Sequence, residues 1–252
     1  MKKPVYYLPA FAVFAALLLV WQAYTHAGLI DKLVLPAPSD VWHALINYRS
    51  VIWGHTAQTL LETVEGLILA IILGVLSGSA IYMSGLLKKA VYPLLIASQT
   101  IPIIALAPLM IIWFGFGIVP KVIIVVLICF FPITVAVSDG LEQTPAHLVD
   151  LAKSMGASRL KILRYIEFPS ALPAFFSGLK ISTTYAVTGA IVGEYVGAYQ
   201  GLGIFMQTAA HSRAIELVFA SIFVIIILTL VLLGLVFAAQ RAAMPWRYKD
   251  HV

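Results

Sequence analysis

Length, composition and charge already exclude a soluble protein. The 252 residues are 62% hydrophobic and only 11% charged, with a formal net charge of +5. Soluble domains carry about a quarter charged residues, so the charges here are too few to cover a water-facing surface, and lipid must surround most of the chain. The lysines and arginines stand in short gaps between apolar runs, which is typical of membrane orientation and not of nucleic-acid binding.

Six apolar runs are long enough to cross the hydrocarbon as helices, which takes about 20 residues each. In chain order they cover residues 5–27, 56–83, 90–114, 118–138, 171–197 and 214–240. The sequence therefore predicts an all-α membrane protein with a single transmembrane domain over residues 1–252. The first run is also compatible with a signal peptide, but its length and the lack of a good cleavage site favour an uncleaved first span.

Basic residues set the predicted orientation, because lysine and arginine are enriched on the cytoplasmic side of membrane proteins. With the N-terminus in the cytoplasm, six spans return the C-terminus to the same side. The external segments then hold four basic residues, which are Lys32, Arg49, Lys121 and Arg213. The cytoplasmic segments hold eleven, which are Lys2, Lys3, Lys88, Lys89, Lys153, Arg159, Lys161, Arg164, Arg241, Arg247 and Lys249.

Two patterns within the spans bear on packing. Small residues recur every fourth position of the second run, which lets a neighbouring helix approach closely; they are Gly66, Ala70, Gly74 and Gly78. Prolines, which kink helices, fall in or beside the third and fourth runs; they are Pro93, Pro102, Pro108, Pro120 and Pro132. The prolines fit helices that flex around a path and fit simple kinked packing equally well.

The longest cytoplasmic segment, residues 139–170, carries many charges and is predicted to contain two short helices. The first, around His147 to Met155, has the periodicity of an amphipathic helix. Gly156 can adopt the backbone angles that end it, and Ser158 is placed to cap the next helix. Such a segment either docks onto a partner or is a solvated connector with its basic face against anionic lipid.

The spacing in this segment resembles the signature of the membrane subunits of ABC importers. That signature has an EAA triplet, a glycine four residues later, and Ile-x-Leu-Pro after nine more. Here it reads Asp150-Leu151-Ala152, Gly156 and Ile166-Glu167-Phe168-Pro169, with three mild substitutions. Further segments are similar to the nitrate, sulfonate and taurine branch of the family: Leu35-Pro36-Ala37-Pro38, residues 107–117, Gly193-Glu194 and Gly201-Leu202-Gly203. Residues 99–106 and 130–133 are more narrowly similar to permeases for thiamine pyrimidine precursors or riboflavin.

This resemblance implies the fold of a type I ABC importer permease, with both termini cytoplasmic, in a bacterial inner membrane. It also implies a coupling helix that sits in a cleft of a cytoplasmic ATPase subunit. The residues expected at that joint are Asp150, Ala152, Gly156, Ser158 and Arg159. The implied partners are two ATPase subunits and an extracytoplasmic solute-binding protein. Because six spans without an internal repeat make a thin bundle, we also expect a second copy of the chain to complete the path.

The chain has no evident catalytic apparatus of its own. No G-x-x-x-x-G-K-[ST] run occurs, so ATP is expected to be bound and hydrolysed in the partner subunit, and this chain is expected to bind no cofactor. The histidines never form HExxH, and no Ser, His and acid combination is placed for nucleophilic catalysis, so neither a metal site nor a catalytic residue is predicted. The short runs Gly115-Phe116-Gly117 and Gly201-Leu202-Gly203 are interpreted as helix ends.

Glu194 is the most informative acid, because an ionisable group deep in an apolar run is costly and faces a partner or an aqueous path. Two readings remain open: a gate or path-lining group near the outer mouth, or a structural hydrogen bond to a neighbouring helix. Thr184, Tyr185, Thr188 and Gln99 are predicted to line the same path, although threonine hydroxyls also bond backbone carbonyls within helices. Glu62 and Glu65 are left without a role.

The leading prediction is the membrane subunit of an ATP-driven, binding-protein-dependent importer for a small polar solute. An aromatic heterocycle, such as a pyrimidine vitamin precursor, is the first substrate expected, followed by sulfonates or nitrate. A secondary transporter or channel working without an ATPase predicts inverted repeats and paired intramembrane charges, and neither is apparent in the sequence. An intramembrane enzyme predicts paired catalytic acids or histidines in the spans, whereas Glu194 appears alone.

Overall fold

The computed structural model describes residues 8–247, and this part of the chain is helical with no β-strand. The predicted start of the first span at Val5 lies outside the described residues, as do Lys2, Lys3 and Lys249, which contributed to the predicted orientation. The first six helices are α1 (Leu8–His26), α2 (Pro38–Asn47), α3 (Arg49–Met83), α4 (Gly85–Ser98), α5 (Ile103–Phe114) and α6 (Val119–Glu142). They are followed by α7 (Ala146–Ser154), α8 (Arg159–Ile162), a π-helical turn (Leu163–Glu167), α9 (Phe168–Gly197), α10 (Leu202–His211), α11 (Ile215–Ala243) and a 3₁₀ turn (Pro245–Arg247).

Three of the described helices, α3, α6 and α11, are long and apolar enough to cross a membrane. A fourth span results if α4 and α5 are counted together. The apolar part of α1, Phe11–His26, is shorter, and the 30-residue α9 is not among the three. The multi-pass character predicted from composition is therefore confirmed, whereas the number six stays a prediction.

The predicted third span is wrong as a single helix. Residues 90–114 fall into α4 and α5, whose axes are bent by 100° at a short break. The physical reason lies at Pro102, which adopts an extended conformation with ψ of 110°. Proline also disfavours helical angles at the residue before it, here Ile101. The break at residues 99–102 places Gln99 at the end of α4 instead of inside a span.

Other boundaries differ by a few residues or more. Helix α3 begins seven residues before the predicted second span, and α6 continues four residues beyond the predicted fourth span. The short helices α2 and α10 were not predicted. The second helix of the cytoplasmic segment is not separated from the fifth span, because α8, the π turn and α9 follow one another without a loop. Pro169, which has no amide hydrogen to donate, lies in the first turn of α9, directly after the π turn.

The core forms where α6 lies between α3 and α9. Val125, Cys129 and Ile133 of α6 are fully buried there. The predicted small-residue face of α3 packs against α6: a Cβ at Gly66 would lie 2.5 Å from Cβ of Val125, and one at Gly74 would lie 2.7 Å from Cγ2 of Ile133. Only glycine permits this approach, so the interpretation of this face as a packing seam is confirmed.

Candidate functional site

Helix α7 matches the first predicted helix of the cytoplasmic segment to within one residue at each end. Gly156 ends it in the left-handed region, with φ of +79°, and a Cβ there would meet no atom within 4 Å. Glycine is thus required by backbone conformation and not by space. Ser158 occupies the residue before α8 as predicted, but its hydroxyl makes no capping hydrogen bond, so that part of the prediction is wrong.

The apolar side of α7 is not covered by the described part of the chain. Leu151 is 59% exposed and Met155 is 79% exposed. With Ala152 they help to line a shallow cavity of about 420 Å³ that Tyr165 and Trp246 also border. Asp150 stands beside it with its side chain 70% exposed, in a 3.3 Å contact with Lys153. Exposed apolar surfaces of this kind are typical of sites where proteins bind partners.

Arg159, which is predicted at the ATPase joint, also belongs to a cluster that ties the start of α8 to α3, and its side chain remains 47% exposed. Its guanidinium donates a hydrogen bond to Oε1 of the buried Glu167 and lies 5.4 Å from the ring centre of Tyr82. Tyr82 donates a second hydrogen bond of 2.8 Å to the same oxygen. The hydrogen bond with Glu167 is the largest of the interactions that raise the pKa of Arg159. Glu167 was not predicted as a functional residue. The sequence feature that could have identified it is its position as the one acid in the run Ile166-Glu167-Phe168-Pro169.

A cavity of about 770 Å³ lies between the end of α4, α6 and α9. It contains two of the five residues predicted for the path, Gln99 and Tyr185. The other lining residues are Ile128, Phe131, Pro132, Val135, Ala136, Asp139, Gln143, Ala174, Ser177, Gly178 and Ile181. The walls of the cavity include the end of α6 and the beginning of α9. Helices α7 and α8 connect these two parts of the chain.

Thr184 and Thr188 are exposed on α9 but do not line this cavity. The hydroxyl of Thr184 donates a 2.9 Å hydrogen bond to the carbonyl of Lys180, which is the alternative left open for threonines in the sequence. Together with Ile181 and Tyr185, both threonines form an exposed stripe along α9.

Glu194 is fully buried and lies outside the cavity. Its Oε1 accepts a 2.6 Å hydrogen bond from the Thr59 hydroxyl, and its Oε2 accepts a 2.5 Å hydrogen bond from the Gly203 amide. The amide of Leu202 donates to the Thr59 oxygen at 2.8 Å, and the amide of Gly201 donates to Nδ1 of His55 at 3.0 Å. In this conformation Glu194 makes hydrogen bonds to neighbouring helices, which is the structural alternative predicted from the sequence. These hydrogen bonds hold the beginning of α10.

A buried ion pair between Lys121 and Glu62 corrects two predictions from the sequence. Lys121 is not an external loop residue, because it lies in the first turn of α6 and is only 5% exposed. It forms a 2.7 Å ion pair with Glu62, which is fully buried. The spans therefore do contain a paired charge, and Glu194 does not stand alone. Gln58 supports the pair with a 2.7 Å hydrogen bond to Glu62.

Glycine pairs mark two helix ends, as predicted. Gly115 ends α5 with φ of +76°, and Gly201 precedes α10 with φ of +138°. A Cβ at Gly201 would lie 2.2 Å from Cδ of Glu194 and would clash with the carboxyl group. Among the described residues, no group of three or more His, Cys, Asp or Glu side chains could hold a metal ion.

The long apolar helices and the buried α3–α6–α9 core are those of a multi-pass membrane protein, and the glycine-terminated α7 adds an exposed amphipathic helix. The sequence profile of the family described as "Binding-protein-dependent transport system inner membrane component" matches residues 68–247. The chain belongs to this family: it is the permease component of an ABC importer and a multi-pass protein of the inner membrane, in a family of transport subunits that are generally not catalytic.

Several relatives match along most of their length. The formylaminopyrimidine transport permease protein ThiX of Halalkalibacterium halodurans is 37% identical, covering 99% of this chain and 100% of its own. A probable ABC transporter permease protein of Haemophilus influenzae is 38% identical, covering 87% and 90%. The riboflavin transport system permease protein RibX of Chloroflexus aurantiacus is 36% identical, covering 91% and 87%.

A solved structure shares the fold. A chain of the MetNI methionine ABC transporter, in an inward-facing conformation, superposes with a TM-score of 0.69 at 20% identity, covering 78% of this chain and 98% of its own. The predicted type of fold, that of an ABC importer permease, is therefore confirmed.

Proposed function

We propose that this permease forms the path for a small polar solute delivered by an external binding protein, and that separate cytoplasmic ATPase subunits drive it through α7. One observation carries the proposal: α7 and α8 connect the end of α6 with the beginning of α9, and these two ends wall the 770 Å³ cavity. Any displacement of α7 by a partner therefore acts directly on the cavity walls.

The exposed apolar side of α7 supplies the docking surface for the ATPase. Leu151 and Met155 offer apolar contact, Asp150 offers a charged edge, and Ala152 permits close approach. Gly156 fixes the angle between α7 and α8, so that α7 moves as a rigid lever. Nucleotide acts through differential binding: if ATP favours one arrangement of the ATPase subunits, the attached permease population shifts with it.

Two copies of the chain, with six spans each and both termini in the cytoplasm, form the complete path. The exposed stripe of α9 that includes Ile181, Thr184, Tyr185 and Thr188 supports this assembly, because it adjoins the cavity and is not covered within the described residues of one copy. Two copies present two α7 helices, one for each of two ATPase subunits.

The transported solute is an aromatic heterocycle of the pyrimidine vitamin-precursor type, with sulfonates and nitrate as less suitable alternatives. The full-length similarity to a formylaminopyrimidine permease supports this choice. So does the cavity lining, which offers the rings of Phe131 and Tyr185 for stacking and amides of Gln99 and Gln143 for hydrogen bonds. A sulfonate or nitrate would meet the carboxylate of Asp139 with no Lys, Arg or His among the lining residues to balance it.

The test is uptake by proteoliposomes that contain the permease with its ATPase, with binding protein outside and ATP inside. We expect labelled formylaminopyrimidine to accumulate only when all components and ATP are present, and excess taurine not to compete. Uptake by the permease alone would instead establish the alternative, a secondary transporter or channel that works without an ATPase. Competition by taurine would redirect the substrate assignment to sulfonates.

A further inference from the structure

Three ionisable side chains from three helices meet in the interior, at a place that the proposed transport path does not use. They are Glu62 of α3, Lys121 of α6 and Glu194 of α9, and they are 0%, 5% and 0% exposed. None of them lines the 770 Å³ cavity. Glu194 lies 27 residues beyond Glu167, so the cluster is roughly 40 Å along the helix from the π turn near α7.

The charges of this cluster do not balance if every group is ionised. Two carboxylates and one ammonium leave one negative charge in a buried site, and a buried charge without a partner is costly enough that the group is neutralised instead. The neighbouring His55 does not supply the missing charge. Its Nδ1 accepts the hydrogen bond of the Gly201 amide and therefore carries no proton, which leaves the imidazole neutral. Tyr195, next to Glu194 on α9, provides no positive charge either.

The hydrogen bonds of Glu62 identify one carboxylate oxygen that lacks a donor. Oε1 of Glu62 accepts from both Gln58 and Lys121, at 2.7 Å each. Oε2 of Glu62 is buried and has no donor among the described residues. Thr59, one turn before Glu62 on α3, donates to Glu194, and a Cβ on Gly193 would lie 3.1 Å from Cα of Lys121, the partner of Glu62, so the two carboxyl groups lie close together. Two carboxylates offer only acceptors to one another, so this arrangement is favourable only when one of them carries a proton.

We propose that Glu194 holds one buried proton and donates it to Oε2 of Glu62, so that Glu62, Lys121 and Glu194 form an uncharged cluster that fastens the start of α10 to α3. The proton gives the unpartnered oxygen of Glu62 its donor. Each oxygen of Glu194 still accepts one hydrogen bond, from Thr59 and from the Gly203 amide. The Glu62–Lys121 pair is left as a neutral ion pair supported by Gln58.

The close approach of the glycine segment fits this arrangement. A Cβ on Gly203 would lie 2.8 Å from Oε2 of Glu194 and would displace the carboxyl group. The backbone can therefore reach the acid only where side chains are missing, at Gly201 and Gly203. The cluster thereby joins α3, α6, α9 and α10 at the end of the bundle remote from α7, as a positioning device and not as part of the solute path.

Infrared spectroscopy tests the proposal directly, because a protonated carboxylic acid has a carbonyl stretching band that carboxylates lack. We expect the purified permease–ATPase complex in lipid nanodiscs, at neutral pH, to show such a band, and ¹³C-labelled glutamate to shift it. Glu194→Gln should abolish the band while keeping the melting temperature near that of the wild type, since the amide can donate to Glu62. Glu62→Gln should also abolish it, with a lower melting temperature because Lys121 loses its ionised partner.

The matched control is Glu65→Gln, one turn further along α3 and exposed, which should leave the band unchanged. Absence of a glutamate-sensitive band from the wild type would overturn the proposal without any variant. Persistence of the band in a folded Glu194→Gln or Glu62→Gln complex would overturn it as well. A marked increase in the melting temperature of Glu194→Gln would show that Glu194 is normally ionised, and would have the same consequence.

Discussion

Tyr82, near the end of α3, donates a 2.8 Å hydrogen bond to Glu167, which lies 85 residues later in the π turn before α9. Arg159 binds the same carboxylate oxygen, so one buried acid joins α3, α8 and α9. Because α8 follows α7 directly after Gly156, this contact connects the proposed docking helix with the interior of the bundle.

Replacing Glu167 by leucine should destabilise the permease and weaken coupling. The change leaves the Tyr82 hydroxyl without its partner and removes the counter-charge of Arg159, and loss of a buried hydrogen-bonded group costs about 1–3 kcal/mol. We expect a lower melting temperature of the purified complex and less solute taken up per ATP hydrolysed. Glu142→Gln is the control, because its ion pair with Lys88 is exposed and should contribute little. Equal effects of the two changes would argue against a special role of Glu167.

The effect of a substitution at Gly156 should depend on whether the new residue can adopt a positive φ, and not on the size of its side chain. Its φ is +79° with open space around it, and a residue with a Cβ in the left-handed region costs about 1–2 kcal/mol. Gly156→Pro, which cannot adopt a positive φ, should abolish uptake while ATP hydrolysis and membrane insertion continue. Gly156→Asn should keep partial uptake, because asparagine tolerates this region.

The control for Gly156 is Gly85→Ala. A Cβ at Gly85 also meets nothing within 4 Å, but its φ lies outside the left-handed region. It should therefore leave both uptake and hydrolysis unchanged. If Gly156→Pro transported normally, the rigid connection proposed between α7 and α8 would be wrong.

Features that depend on local sequence could be predicted, because their causes lie within a few residues. The left-handed glycine that ends α7 and the four-residue repeat of small side chains on α3 are of this kind, and both are present in the structure. Apolar run length likewise predicted most of the long helices. It failed for residues 90–114, where hydropathy continues through the bend at Pro102 and only backbone geometry reveals the break.

Features that depend on contacts between distant residues could not be predicted. Lys121 and Glu62 are 59 residues apart, and Lys121 stands at the edge of an apolar run, where a lysine ordinarily marks a loop. The partners of Glu194 lie in α3 and in the start of α10, a helix too short to show a span. Arg159 is one of several charges in the segment between α6 and α9, so its pairing with Glu167 could be found only from the fold.

The seam between α3 and α6 should be sensitive to a single added side chain. A valine at Gly66 would collide with Val125, whose Cβ lies 2.5 Å from the position of the new Cβ. Overpacking of this kind costs about 1–3 kcal/mol. Cys129 can report unfolding of the seam. It is the only cysteine of the chain, and it is fully buried on α6, the helix that also carries Val125.

The measurement is the rate at which a maleimide reacts with Cys129 on heating. Wild-type protein should react only when it unfolds, and Gly66→Val should react at a lower temperature. Gly234→Ala in α11 is the matched control, since its Cβ would meet nothing within 4 Å and alanine favours a helix over glycine by about 0.5–1 kcal/mol. This account of the seam would be contradicted if the control reacted at a lower temperature than the wild type, or if Gly66→Val reacted at the same temperature as the wild type.

Asp139 should contribute to the choice of solute, because it is the acid among the residues that line the cavity, and no basic side chain accompanies it there. Asp139→Asn removes the negative charge while keeping the size of the side chain. If a pyrimidine solute donates a hydrogen bond to this carboxylate, its loss costs about 1.5–3 kcal/mol, which raises the solute concentration for half-maximal uptake about tenfold or more. Proteoliposome uptake at varied solute concentration measures this shift. Glu142→Gln, three residues further along α6 but outside the lining, should leave that concentration unchanged. An equal effect of both changes would show that overall charge at this end of α6, and not contact with the solute, is responsible.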